Sequence, residues 1–277
     1  MDHFEYIFKS ADNLDLYGQG WRTDKPIKGI ICLVHGIGSH CGRYESFAAN
    51  LTAAGYNLVA FDQRGHGKSQ GKRGHTSSNK AWMNDITLFL ETVQQKFGQQ
   101  NYFLYGHSLG GNQVLNYILR MKPDFIKGAI ASSPALRLAF TPSSFKKLLS
   151  KMAFHLFPRL SISTSLDISN LSHDPKIIRE YQEDPLVHDK ISASTFIHLV
   201  QAGEWALKHA AELPFPLLLM HGSGDIITSY SASEHFAQRA GEKCTFKLWD
   251  GLYHELHNEL QRQKVIDFVI KWLQDQG

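Results

Sequence analysis

Ser108 stands at the centre of Gly106-His107-Ser108-Leu109-Gly110, with a glycine two positions away on either side. Residues 101–105 before it read as a short apolar strand, and Gln113, Val114, Leu115, Tyr117, Ile118 and Leu119 recur after it at helical spacing. Ser108 therefore falls on a strand-to-helix turn so sharp that only small residues fit where the two elements nearly touch. A hydroxyl held on such a turn is suited to attack a carbonyl carbon. It needs a histidine to take its proton and a carboxylate to hold that imidazole in the right tautomer.

With this turn, the partners are expected in the order serine, acid, histidine, on loops that follow later strands. Residues 215–220 form an unbroken apolar run that ends in His221-Gly222-Ser223-Gly224-Asp225. Residues 244–249 form another run, ending in Asp250-Gly251-Leu252-Tyr253-His254. Asp225 and His254 have the right order and lie just past strand ends, where open parallel sheets place their sites. Because the chain holds 15 histidines, position rather than presence selects His254. His257, three residues on, is the second candidate for the base. His221 is read as a strand-end residue held by backbone hydrogen bonds, and Asp250 as closing a turn with Gly251.

The negative oxygen formed by such an attack requires donors fixed before reaction, and backbone N–H groups meet that need. Leu109, the residue after the serine, supplies one. Residues 29–34 read as a strand buried on both faces and run into His35-Gly36-Ile37-Gly38, so Ile37 N–H is expected to supply the other. His35 is read as bracing this loop. Cys41, close by, predicts sensitivity to thiol reagents.

The positioning elements alternate along the chain. Tyr44, Phe47, Ala48 and Leu51 have helical spacing, residues 56–61 read as a strand, and Trp82, Ile86, Phe89, Leu90, Val93 and Phe97 form an amphipathic stripe. Residues 126–131 read as a further strand, and Val265, Phe268, Val269 and Trp272 as a last helix. With 277 residues and 43% hydrophobic content the chain can bury one large core.

Several motifs together, His35 to Tyr44, Phe61-Asp62-Gln63-Arg64-Gly65-His66-Gly67-Lys68-Ser69, Gly106 to Gly111, Gly224-Asp225 and Tyr253-His254, resemble the monoacylglycerol lipase and lysophospholipase branch of the α/β-hydrolases. The likeness covers nearly the whole chain in order. It implies an α/β-hydrolase fold, a mostly parallel eight-stranded sheet with helices on both faces. It also implies hydrolysis of esters of single-chain lipids, monoacylglycerol first, with no cofactor. By the same resemblance, Arg43, Tyr181 and His257 match positions that face the polar head of the substrate. Ser39 departs from the animal enzymes of this branch, where an acidic residue is usual.

Residues 135–212 are too long for a crossover and suggest no strand, so they are expected to form a helical cap inserted into a core of residues 1–134 and 213–277. Phe145, Leu148, Leu149, Met152 and Leu156 share helical spacing there. Leu148, Leu149 and Met152 are expected to line an acyl-binding channel, and the same helix to touch membranes transiently.

Other chemistries fit less well. Gly67-Lys68-Ser69 lacks the glycine a phosphate loop needs at position 62, which is Asp62, and His254-Glu255-Leu256-His257 lacks histidines four apart, so no metal is expected. A net charge of +3 with mixed signs argues against nucleic acid. The sequence predicts a cytoplasmic protein from its three cysteines, its lack of a basic and then apolar leader, and the absence of a run of about twenty apolar residues. Two other classes are considered. A prolyl aminopeptidase-type enzyme would use Glu180, Glu183, Asp184 or Glu204 for a substrate ammonium, and a non-catalytic receptor would show a damaged triad. Oligomeric state is not legible.

Overall fold

The computed structural model describes residues 1–140 and 152–276. Eight strands form one sheet in the order β1-β2-β4-β3-β5-β6-β9-β10: β1 Asp2–Lys9, β2 Asp15–Arg22, β3 Gly29–Val34, β4 Tyr56–Phe61, β5 Tyr102–His107, β6 Ile126–Ser132, β9 Leu217–Gly222 and β10 Cys244–Trp249. The strands from β4 to β10 run parallel, while β2 joins β4 antiparallel and β1 pairs antiparallel with β2. The central strands β3, β4 and β5 are buried throughout, as apolar runs covered on both faces must be.

Alternate side chains of β3 feed two cores. Ile30, Cys32 and Val34 pack with Trp82, Ile86 and Phe89 of α2 (Asn79–Phe97) and with Val114, Leu115 and Ile118 of α3 (Leu109–Met121). Ile31 and Leu33 face Phe47 and Leu51 of α1 (Glu45–Ala53) on the other side. The predicted stripes thus become helix faces covering both sides of the sheet. The terminal helix, Arg262–Asp275, joins the second core through Val265, Val269 and Trp272.

Two strands, β2 and β1, were hidden in the sequence. The first, β2, contains Gly18 and Gly20, which weaken any apolar signal, and the rings of Tyr6 and Phe4 on β1 lie directly opposite and fill those positions. The last strand, β10, falls where residues 244–249 are expected to form one, as a half-buried edge strand.

Between β6 and β9 the chain leaves the sheet. Its described residues include the helices α4 (Pro175–Glu183) and α5 (Ala193–His209) and a small antiparallel pair, β7 (Ser161–Ser163) with β8 (Lys190–Ser192), which the expectation of no strand missed. Three residues per strand leave no periodicity to read. The helix Tyr230–Ala240, here α6, and the terminal helix, α7, then complete the layers.

Candidate active site

Ser108 lies between the last residue of β5 and the first of α3, with φ of 55° and ψ of −117°. A side chain rarely adopts such a backbone, and the tight turn that imposes it lifts the serine to the carboxyl end of the sheet. A Cβ on Gly106 would collide with the Gly110 carbonyl, and one on Gly110 with the Val34 carbonyl, so the two glycines are demanded by contact between strand and helix.

Beyond β9 and β10, two loops bring Asp225 and His254 together. Nδ1–H of His254 donates to Asp225 Oδ2 at 2.7 Å, and both residues are buried. His257 makes no such bond. It is buried instead, stacked on Tyr44 at 4.8 Å, and burial lowers its pKa to about 4. The Asp225 carboxylate accepts four further hydrogen bonds, from Ile227 N, Thr228 N, Thr228 Oγ1 and His221 Nε2, at 2.8 to 3.1 Å. Burial opposes its charge, but His254 and the other donors outweigh burial and hold its carboxyl well below the usual range. His254 responds in the opposite sense. Burial disfavours the imidazolium, yet the adjoining Asp225 carboxylate prevails and raises its pKa.

Ser108 and His254 line one cavity, with Ile37 and Leu109 beside them. No hydrogen bond joins the Ser108 and His254 side chains among the described residues, a contact that commonly tightens only around substrate. Neither Ile37 N–H nor Leu109 N–H donates to another group among the described residues; Leu109 opens α3, where no intrahelical acceptor exists. The Ile37 loop is held by His35, whose Nδ1–H donates to Gly36 O at 2.8 Å while Nε2 accepts from Gln63 N at 3.0 Å. Leu138, Phe140, Leu166, Phe196, Leu199 and Ile227 make most of the remaining wall apolar.

A family model described as serine aminopeptidase, S33 matches residues 25–261. A monoacylglycerol lipase of Mycolicibacterium smegmatis is 30% identical over 97% of this chain and 96% of its own length. The crystal structure of Paleococcus ferrophilus monoacylglycerol lipase is 35% identical, covers 100% of both chains and superposes with a TM-score of 0.83. The chain is an α/β-hydrolase. It belongs to the matched family and to the monoacylglycerol lipase branch, a branch of carboxylic ester hydrolases. It also matches an uncharacterized abhydrolase domain-containing protein of Dictyostelium discoideum at 36% identity, spanning 27% of that longer chain.

Several expectations for this hydrolase change with the geometry. Cys41 is fully buried and burial pushes its thiol pKa well up, so the predicted sensitivity to thiol reagents loses its basis. His221 is held by side chains, Asp225 Oδ2 at 3.1 Å and Ser233 Oγ at 2.8 Å, rather than by the backbone. Arg43 does not reach the cavity wall, because Glu255 takes both its terminal nitrogens, and Tyr181 lies under its guanidinium and does line the cavity. His257, boxed in by aromatic rings, is likewise absent from the wall. Met152 is exposed and lies off the wall, while Leu148 and Leu149 fall outside the described residues. The acids considered for a substrate ammonium do not line the cavity; Glu180, Asp184 and Glu204 instead face Lys176, His40 and Arg137.

Sequence reasoning missed His221, Thr228 and Glu255. Glu255 had one available signal, its place directly after the histidine. His221 and Thr228 lie four residues before and three after Asp225 in one segment and gain their roles only when that segment folds back on the carboxylate.

Among the described residues no helix is long and apolar enough to cross a membrane.

Proposed function

We propose that this hydrolase cleaves single-chain lipid esters, monoacylglycerols foremost, to a fatty acid and an alcohol through an acyl-enzyme on Ser108. The observation that carries the reading is the 2.7 Å hydrogen bond from His254 to Asp225 at an apolar cavity that Ser108 and His254 both line. Ser108 Oγ attacks the ester carbonyl carbon as its proton passes to His254 Nε2. The carbonyl oxygen becomes negative and meets the N–H groups of Ile37 and Leu109, whose donors are uncommitted until then. Collapse of this intermediate breaks the ester bond, and the departing alkoxide takes the proton from His254. A water then repeats the sequence on the acyl-serine and releases the fatty acid.

Asp225 keeps Nδ1 of His254 protonated, which leaves Nε2 free to accept. Residues 135–212 serve as the cap, and their apolar side chains on the cavity side hold the acyl chain. Phe140, Met152, Leu156, Phe157 and Ile162 are exposed and provide apolar surface for transient contact with the membrane in which such lipids reside.

The test compares monoacylglycerols, lysophospholipids, short nitrophenyl esters and proline-naphthylamide on the purified protein, with fluorophosphonate labelling. Monooleoylglycerol should be cleaved and Ser108 labelled, and Ser108→Ala should stay folded while kcat falls at least about 10³-fold. Preferred cleavage of proline-naphthylamide, or full activity in Ser108→Ala, would overturn the reading.

A further inference from the structure

The polar end of the cavity carries an ion pair that the reaction does not use. Among the described residues on the wall, Glu255 is the one acid, and no lysine or arginine joins it. Arg43 lies behind it, with Nη1 and Nη2 donating to Glu255 Oε1 and Oε2 at 2.7 and 2.9 Å. Asn258 Nδ2 donates to Oε2 at 2.7 Å, and the Tyr181 ring packs 4.6 Å from the guanidinium. Burial opposes the charge on Glu255, but Arg43 outweighs it and holds the carboxyl well below the usual carboxylate range. The pair therefore remains ionised.

A guanidinium is the side chain best shaped to grip a phosphate, because its fork offers two parallel donors. Here that fork is closed by a carboxylate before any substrate arrives. An incoming phosphate would meet the charge of Glu255 where water is scarce and repulsion is little screened. A hydroxyl of a neutral head meets acceptors in the Glu255 carboxylate and the Ser39 hydroxyl instead. Resting on the substrate reading above, we propose that Glu255 is a specificity-determining residue, capping Arg43 so that the cavity takes neutral, hydroxyl-bearing heads and refuses heads that bear a phosphate.

Monooleoylglycerol and oleoyl-lysophosphatidate share chain and ester and differ only in the phosphate. The native protein should favour the first by at least about 100-fold in kcat/KM. Glu255→Gln keeps the side-chain shape and releases the Arg43 charge, so the gap should shrink at least about 10-fold through faster cleavage of lysophosphatidate.

That variant strands a buried cation, so a measurement on the native protein stands beside it. Octadecyl glycerol ether and its phosphate, which cannot be hydrolysed, compete against p-nitrophenyl butyrate, and the neutral ether should bind at least about 10-fold tighter. Equal binding of the two ethers, equal cleavage of the two lipids, or a folded Glu255→Gln with an unchanged ratio would each overturn the inference. Cleavage of nitrophenyl butyrate with neither glycerolipid accepted would overturn the substrate reading instead, and the ether competition would still decide the role of Glu255.

Discussion

Asp225 accepts from more donors than orienting one imidazole requires. Five groups converge on its two oxygens, and the network fixes both its charge and its direction. In the proposed mechanism His254 accepts the serine proton only when neutral, so activity should rise with pH as the imidazolium is lost. Its raised pKa puts this acid limb above the ordinary histidine value of about 6.5, which a kcat/KM profile with a nitrophenyl ester would show. Asp225→Asn removes the anion that sustains the shift, so the limb should move to lower pH and kcat should fall about 10⁴-fold. At this scale Ser108, Asp225 and His254 were legible because each follows a strand-like run. Thr228 and His221 were not, because a donor to a carboxylate in a folded loop leaves no pattern in the chain.

The elements that carry these residues meet with almost no space to spare. Gly110 sits against the Val34 carbonyl, joining the nucleophile helix to the strand that feeds the Ile37 loop. Gly110→Ala should therefore cost about 1–3 kcal/mol of stability and lower the thermal midpoint by roughly 2–4 °C for each of them. It should also reduce esterase activity, because Ser108 and Leu109 shift with the helix. An unchanged midpoint and rate would show that strand and helix part easily. Central strands such as β3 and β9 were readable as unbroken apolar runs. Strand β2, inside the sheet between β1 and β4, was not, since aromatic rings on its neighbour supply the apolar surface that its glycines lack.

For the whole molecule, apolar burial would be the main source of affinity for the proposed lipid substrate. At about 0.8 kcal/mol per methylene, kcat/KM should climb roughly fourfold with each added methylene until the cavity is filled. Phe196, on α5, lines that cavity, so Phe196→Asp should raise KM for long-chain esters and leave acetate esters nearly unaffected. Parallel losses on both would place the acyl chain elsewhere. The alternation of strands and helices made the layered architecture legible. The arrangement of the inserted stretch was not, because its short pairings and loops arise from contact with the core.

α5 belongs to that inserted stretch, yet two buried amides bind it to the helix beneath the serine. Asn112 Nδ2 donates to Leu199 O at 3.2 Å and Asn116 Nδ2 to Ala202 O at 3.0 Å, while a Cβ on Gly203 would strike the Leu136 carbonyl. An engineer who wished to graft a different roof onto this scaffold would thus have to splice upstream of Ala193. Excising α5 as well would leave both asparagines under the nucleophile facing emptied acceptor positions.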